Sequence, residues 1–132
     1  MKYPEPVLQP ITDTDDNYRV KEDFTHPTRV GSVTVRAGFI SDGASLPINL
    51  GWSHWDAETA AAAVLHDGLY ESELVMRSAA DIVLRETMRR HGCSRFRTCT
   101  YLFFVRTLGW LVWRKHTPES VAKARKMVSV KG

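Results

Sequence analysis

The sequence predicts an α+β domain in which a small N-terminal antiparallel sheet packs on three or four C-terminal helices. Three stretches carry that expectation. Gly31 to Ile40 is rich in β-branched residues and places Val33 and Val35 on one face, the period-two pattern of a half-buried strand. The run from Asp56 to Tyr70 contains four consecutive alanines, a composition of high helix propensity that also lets a neighbouring element approach closely. Tyr101 to Trp113 is the most apolar segment, and it lies inside a helical stretch running from about Ser94 to Lys115.

The elements follow in order. Residues 1–16, with three prolines and the acids Asp13, Asp15 and Asp16, form an extended arm. Tyr18 to Glu22 alternates weakly and suggests a first strand, while Asp23 to Thr28, with Pro27, suits a turn. After the main strand a loop runs from Ser41 to Trp55 through Gly43, Pro47 and Gly51. Asp56 is the N-cap candidate of the first helix. Ser78 starts a second helix with Asp81 at its N3 position, and His91-Gly92 stops it. Thr117-Pro-Glu-Ser starts a short fourth helix with Pro118 in its first turn. No internal repeat or long linker interrupts the chain. It is expected to be one domain over 1–132, with a core over 17–115 and a basic C-terminal helix over 116–132.

Composition narrows the function. The chain has 132 residues, 43% hydrophobic and 25% charged, which is the profile of a packed globular domain rather than a disordered one. Cys93 and Cys99 are neither a disulfide framework nor a zinc-ribbon spacing. They are expected to be a small buried hydrophobe and a thiol on a helix face. The start MKYPEPVLQP lacks a signal-peptide layout, so the chain is not expected to be secreted through its own leader, and a reducing compartment is expected. Tyr101 to Trp113 is shorter than the ~20 residues a bilayer span needs, and Arg106 interrupts it. No membrane span is predicted. A core helix is preferred to an interfacial helix that snorkels Arg106 and Arg114.

Charge is strongly divided. Residues 1–84 carry 13 acids and 6 bases, whereas residues 85–132 carry 12 bases and 2 acids. Clustered arginines such as Arg85, Arg89 and Arg90 are enough to bind phosphate. No DNA-binding motif accompanies them, and acids in the other half are available to neutralise them. Nucleic acid is therefore not favoured over a solvated or protein-docking face.

Two strings stand apart from scaffold: Gly38-Phe-Ile-Ser-Asp-Gly-Ala-Ser-Leu-Pro47 and Ala63-Val-Leu-His-Asp-Gly-Leu-Tyr70. The first puts the Asp42 carboxylate and the Ser45 hydroxyl on a turn after a strand. The second puts His66 and Asp67 near a helix C-terminus, where the dipole disfavours an unpaired carboxylate. With Asp81, these residues offer one imidazole and three carboxylates, a donor set suited to one divalent Zn, Mn or Fe ion. Such an ion, bound by Asp42, His66 and Asp67, would lower the pKa of a bound water for hydrolysis, and Asp81 would be a further ligand or the base that positions the water. Ser45 is a candidate nucleophile with His66 as its base, although no Gly-x-Ser-x-Gly elbow surrounds it and capping a turn is its commoner task.

Structural roles stand beside the chemical ones. Asp81 suits a capping box after Ser78, Asp42 an Asx-turn before Gly43, and His66 and Asp67 a polar tie between sheet and helix. His26, His54, His91 and His116 are scattered singly and carry no assignment.

The order GF-x-[ST]-DGAS-x-P, then AAxxHDxLY, then S-x-A-D, then an aromatic helix ending near Leu108-Gly109, resembles the phage and prophage family catalogued as domain of unknown function 1353. The likeness covers roughly residues 17 to 110. It implies a small phage-encoded protein of the bacterial host cytoplasm or the phage virion, with Asp42, Ser45, His66, Asp67 and Asp81 on the family pattern and no assigned activity. The leading functional expectation is a metal-assisted hydrolase. The alternative is a non-enzymatic virion or accessory protein that docks another phage protein through its basic helices, Trp110 and Trp113.

Overall fold

The first half of the β-branched run folds as expected. In the computed structural model, which describes residues 3–11, 18–41 and 59–132, Gly31–Val35 is a strand whose Val33 and Val35 are fully buried. The chain order is β1 (Leu8–Pro10), β2 (Tyr18–Val20), β3 (Phe24–Thr28), β4 (Gly31–Val35), β5 (Ile40–Ser41), α1 (Ala60–Ser72), α2 (Arg77–Arg90), α3 (Arg95–Arg114), α4 (Pro118–Arg125) and β6 (Val128–Lys131). The strands form two antiparallel sheets, ordered β1-β2-β5 and β3-β4-β6. The architecture is α+β.

Three segments differ from expectation. The strand read over Gly31 to Ile40 ends at Val35, and Ile40–Ser41 is a separate strand, β5, paired with β2 in the other sheet. Asp23 to Thr28 is not only a turn: Phe24–Thr28 is β3, paired with β4 from Phe24↔Val35 to Thr28↔Gly31. Phe24 and His26 point inward, which is a strand alternation. Pro27 is tolerated because β3 is an edge strand, bonded to β4 alone. The basic C-terminal helix expected over 116–132 ends at Arg125, and the chain returns as β6 along β4, with Val33↔Val130 and Val35↔Val128. Val128 and Val130, two residues apart, favour a strand over a helix continuation. The helix start is as predicted. Thr117 Oγ1 accepts the Ser120 N–H at 3.1 Å, Ser120 Oγ accepts the Thr117 N–H at 2.9 Å, and Pro118 opens the first turn.

α1 is the centre of the domain. Ala61 to Tyr70 is buried without a break, so the helix has no solvent face and packs on α2, α4 and both sheets. Gly68 explains how closely it lies on the second sheet, since a Cβ there would stand 3.2 Å from Val128 Cγ2 and 3.4 Å from Val35 Cγ2. The Asp56 cap candidate lies outside the described residues; the helix begins at Ala60 after Thr59. It ends at Glu73, whose backbone is left-handed (φ 50°) and donates its N–H to Leu69 O. α2 buries Ala80, Val83, Leu84, Thr87 and Met88, a single stripe at helical spacing. Cys93 is buried and Cys99 exposed, as the sequence suggests.

Candidate functional site

Residues four apart on a helix share a face, so α1 presents His66 and Tyr70 together toward α2. Their rings lie 4.1 Å apart. α2 answers with Asp81, whose Oδ1 is 2.8 Å from His66 Nε2 and accepts the Tyr70 hydroxyl at 3.0 Å. His66, Tyr70 and Asp81 are all nearly inaccessible to solvent. Arg77, one turn before Asp81, donates from Nε to Tyr70 Oη at 3.0 Å and from Nη2 to the Val105 and Arg106 carbonyls of α3. Trp113 packs edge-on against Tyr70, and Gly109 leaves room for its hydroxyl.

This network fixes protons. A carboxylate only accepts, so the His66 Nε2–H donates to Asp81, and in the neutral ring the lone pair resides on Nδ1. Among the described residues, the buried Nδ1 has no hydrogen-bond partner. The Tyr70 hydroxyl is pushed up to about 12, chiefly by burial and further by the Asp81 carboxylate, against the opposing pull of Arg77. It therefore remains a donor at all ordinary pH values.

The predicted site residues separate as follows. His66 and Asp81 come into direct contact. Asp81 is not a helix cap: the N-cap of α2 is Met76, two residues before Ser78 and without a side-chain cap, and the carboxylate turns to α1 instead. Asp67, about 100° further round α1, accepts the buried Ser41 hydroxyl on Oδ2, which ties the helix to β5. Asp42, Ser45 and His54 lie outside the described residues, although Asp42 directly follows Ser41 in the chain. Among the described residues, no group of three or more His, Cys, Asp and Glu side chains could hold a metal.

Sequence reasoning overlooked Arg77 and Ser41. Arg77 is one helical turn from Asp81, a spacing visible in the sequence, and Ser41 stands just before Asp42 in the Gly38–Pro47 string. It also left a second cluster unassigned. His26 Nε2 and His91 Nε2 are 3.1 Å apart, joining β3 to the end of α2. His26 Nδ1 donates to the Pro27 carbonyl at 2.8 Å, so its Nε2 accepts the proton of His91. Tyr3 stacks on His26, and the Arg90 guanidinium sits over Tyr3 while donating to the same Pro27 carbonyl. Burial lowers the pKa of both histidines. For His26 the neighbouring His91 and Arg90 add to this while Glu86 opposes it, and for His91 Glu5 opposes it.

A cavity of about 660 Å³ opens between the β4–β5 turn and α4, lined among others by Phe39, Ile40, Lys115, Lys123 and Met127. His66, Tyr70 and Asp81 are not among its lining residues, so it is separate from the dyad.

Comparison with known proteins gives one match. Residues 18–105 match the family model described as protein of unknown function (DUF1353), leaving α4 and β6 outside it. No curated protein and no solved structure matches the chain. Because the match covers well over half of its length and includes His66, Asp67 and Asp81, the chain belongs to the DUF1353 family.

Proposed function

We propose that the His66–Asp81 pair is the fixed half of a hydrolytic site in which His66 Nδ1 binds one divalent metal ion, Zn, Mn or Fe. One observation carries this reading: Nδ1 is buried and, among the described residues, unpartnered, while Asp81 clamps the opposite ring nitrogen. A buried acceptor without a partner costs about 1–3 kcal/mol, and a metal bond removes that cost. Metal-ligating histidines characteristically donate their second N–H to a carboxylate, which sets the tautomer and raises ligand basicity. Asp81 would thus be the orienting partner of His66 rather than a ligand beside it. Asp67 and Asp42 are the carboxylates to complete the site, and Ser45 is a hydroxyl for the substrate side. The ion would supply a water of lowered pKa.

Elemental mass spectrometry tests the proposal on untagged protein purified without chelator. Wild type is expected to hold near-stoichiometric metal, and folded His66→Ala to hold none. Asp81→Asn should weaken metal affinity about 10- to 100-fold, the usual effect of losing such a partner. Metal-free wild type whose thermal unfolding does not move on adding Zn, Mn or Fe would reject the site.

A second reading is supported by the exposure of Trp110 and Phe103 on α3. In it the chain is a phage accessory or virion protein that works by docking. Trp110 fits that role, whereas Trp113 packs against Tyr70 and serves the core.

A further inference from the structure

α3 is buried along one side only. Thr98, Tyr101, Val105 and Gly109, spaced three and four apart, face the domain. The opposite face of an ordinary surface helix is polar. Here it carries Phe103 (62% exposed), Trp110 (42%) and Leu111 (44%), in line with the Phe96 ring (74%) at seven-residue steps. The threonines between them turn their hydroxyl protons back to the helix. Thr100 Oγ1 donates to the Phe96 carbonyl and Thr107 Oγ1 to the Phe103 carbonyl, each at 2.8 Å. The strip from Phe96 to Leu111 is about 22 Å long at 1.5 Å per residue.

Its charge is one-sided. α3 contains Arg95, Arg97, Arg106 and Arg114 and no acid, and Lys115 follows. Arg95, Arg106, Arg114 and Lys115 are exposed, and the Arg114 guanidinium lies over the Trp110 ring at 5.1 Å. A second copy of the chain would bring arginine against arginine, which argues against self-association. Among the described residues, the strip is the outer ridge of a single helix. Trp and Phe flanked by long cations are what an interfacial helix lays against lipid, with the cations reaching to headgroups. No helix of the described residues is long and apolar enough to cross a membrane, so the contact is a surface one.

We propose that the outer face of α3 is a peripheral membrane-binding surface that seats Phe103, Trp110 and Leu111 among anionic lipid headgroups through Arg95, Arg106 and Arg114. It is independent of the metal site. The test is co-sedimentation of the full chain with phosphatidylglycerol-containing vesicles and with pure phosphatidylcholine vesicles, at low and high salt. Binding is expected to anionic vesicles alone, weakening with salt. Phe103→Glu and Trp110→Glu, both at exposed positions and checked for folding by circular dichroism, should each weaken partitioning roughly tenfold or more through lost apolar burial. Arg106→Glu should weaken it and flatten its salt dependence. Absence of vesicle binding, equal binding to neutral vesicles, or unchanged binding by the folded variants would overturn the proposal. So would a dimer in light scattering that Phe103→Glu dissociates, because the strip would then be an interface between copies.

Discussion

Replacing glycine by alanine inside a helix ordinarily stabilises a protein by about 1 kcal/mol. At Gly109 of α3 the opposite is expected. A Cβ there would lie 2.6 Å from Tyr70 Oη and 3.3 Å from both Cε2 and Cζ of the same ring. Comfortable contact needs about 3.5 Å or more, so the ring must retreat by much of an ångström. It is not free to do so. Its hydroxyl is held at 3.0 Å by Asp81 on one side and at 3.0 Å by Arg77 on the other, beneath the His66 ring. Overpacking costs about 1–3 kcal/mol, and each weakened hydrogen bond adds about 1 kcal/mol. Against the helix gain, Gly109→Ala should lose about 2–4 kcal/mol. Urea denaturation of wild type, Gly109→Ala, Tyr70→Phe and the double variant measures this directly. Removing the hydroxyl removes the atom that clashes, so alanine at 109 should cost about 1 kcal/mol less in the Tyr70→Phe background. A Gly109→Ala protein as stable as wild type, or additive behaviour in the cycle, would refute the geometry around Asp81.

Acid should expose the second polar cluster. His26 and His91 titrate below the ordinary histidine value of 6.5, so as the pH falls through 6.5 the unfolded chain takes up protons first. Stability is therefore full above 6.5 and declines on acidification, until the folded-state histidines are protonated as well. Urea midpoints measured against pH should fall on this limb in wild type and fall less in His91→Gln, whereas parallel curves would show that the pair does not contribute. Val128 tests the sheet: it is 2% exposed against Gly68, and Val128→Ala should cost about 1.5 kcal/mol for two buried carbons, read as a shift in urea midpoint without a change in slope.

Local pattern carried the sequence reading as far as local pattern reaches. Val33 and Val35, the Thr117-Pro118 helix start, the end of α2 and the limits of α3 depend on neighbours in the chain, and the structure agrees with them. β3 was hidden by Pro27, which normally signals a break and is harmless only because the strand is an edge. β6 was hidden by the basic residues around it. For the site, His66 and Asp81 were recognised as chemistry-bearing residues and are in contact, but their relationship was not visible. Asp81 at an N3 position looks like a cap, and only the packing of α2 on α1 turns it toward an imidazole. His26 and His91 lie 65 positions apart in unremarkable surroundings, so no spacing rule could pair them.

The β4–β6 pairing has a bearing on how the chain acquires its shape during synthesis. β4 is laid down early, yet one of its two edges stays unpaired until residues 128–131 have been made. Through all that time α1 lacks the Val128 side chain that fills the space over Gly68. A nascent chain can form helices locally, but this sheet closes only across a loop of about ninety residues, an entropic toll that local helix formation does not face. Helix formation is thus expected to lead and sheet completion to follow. Until then β4 offers an open edge of backbone donors and acceptors, the kind of edge that pairs with the wrong chain when translation stalls. Ribosomes halted after α3 should consequently expose a species more prone to aggregation than the completed protein.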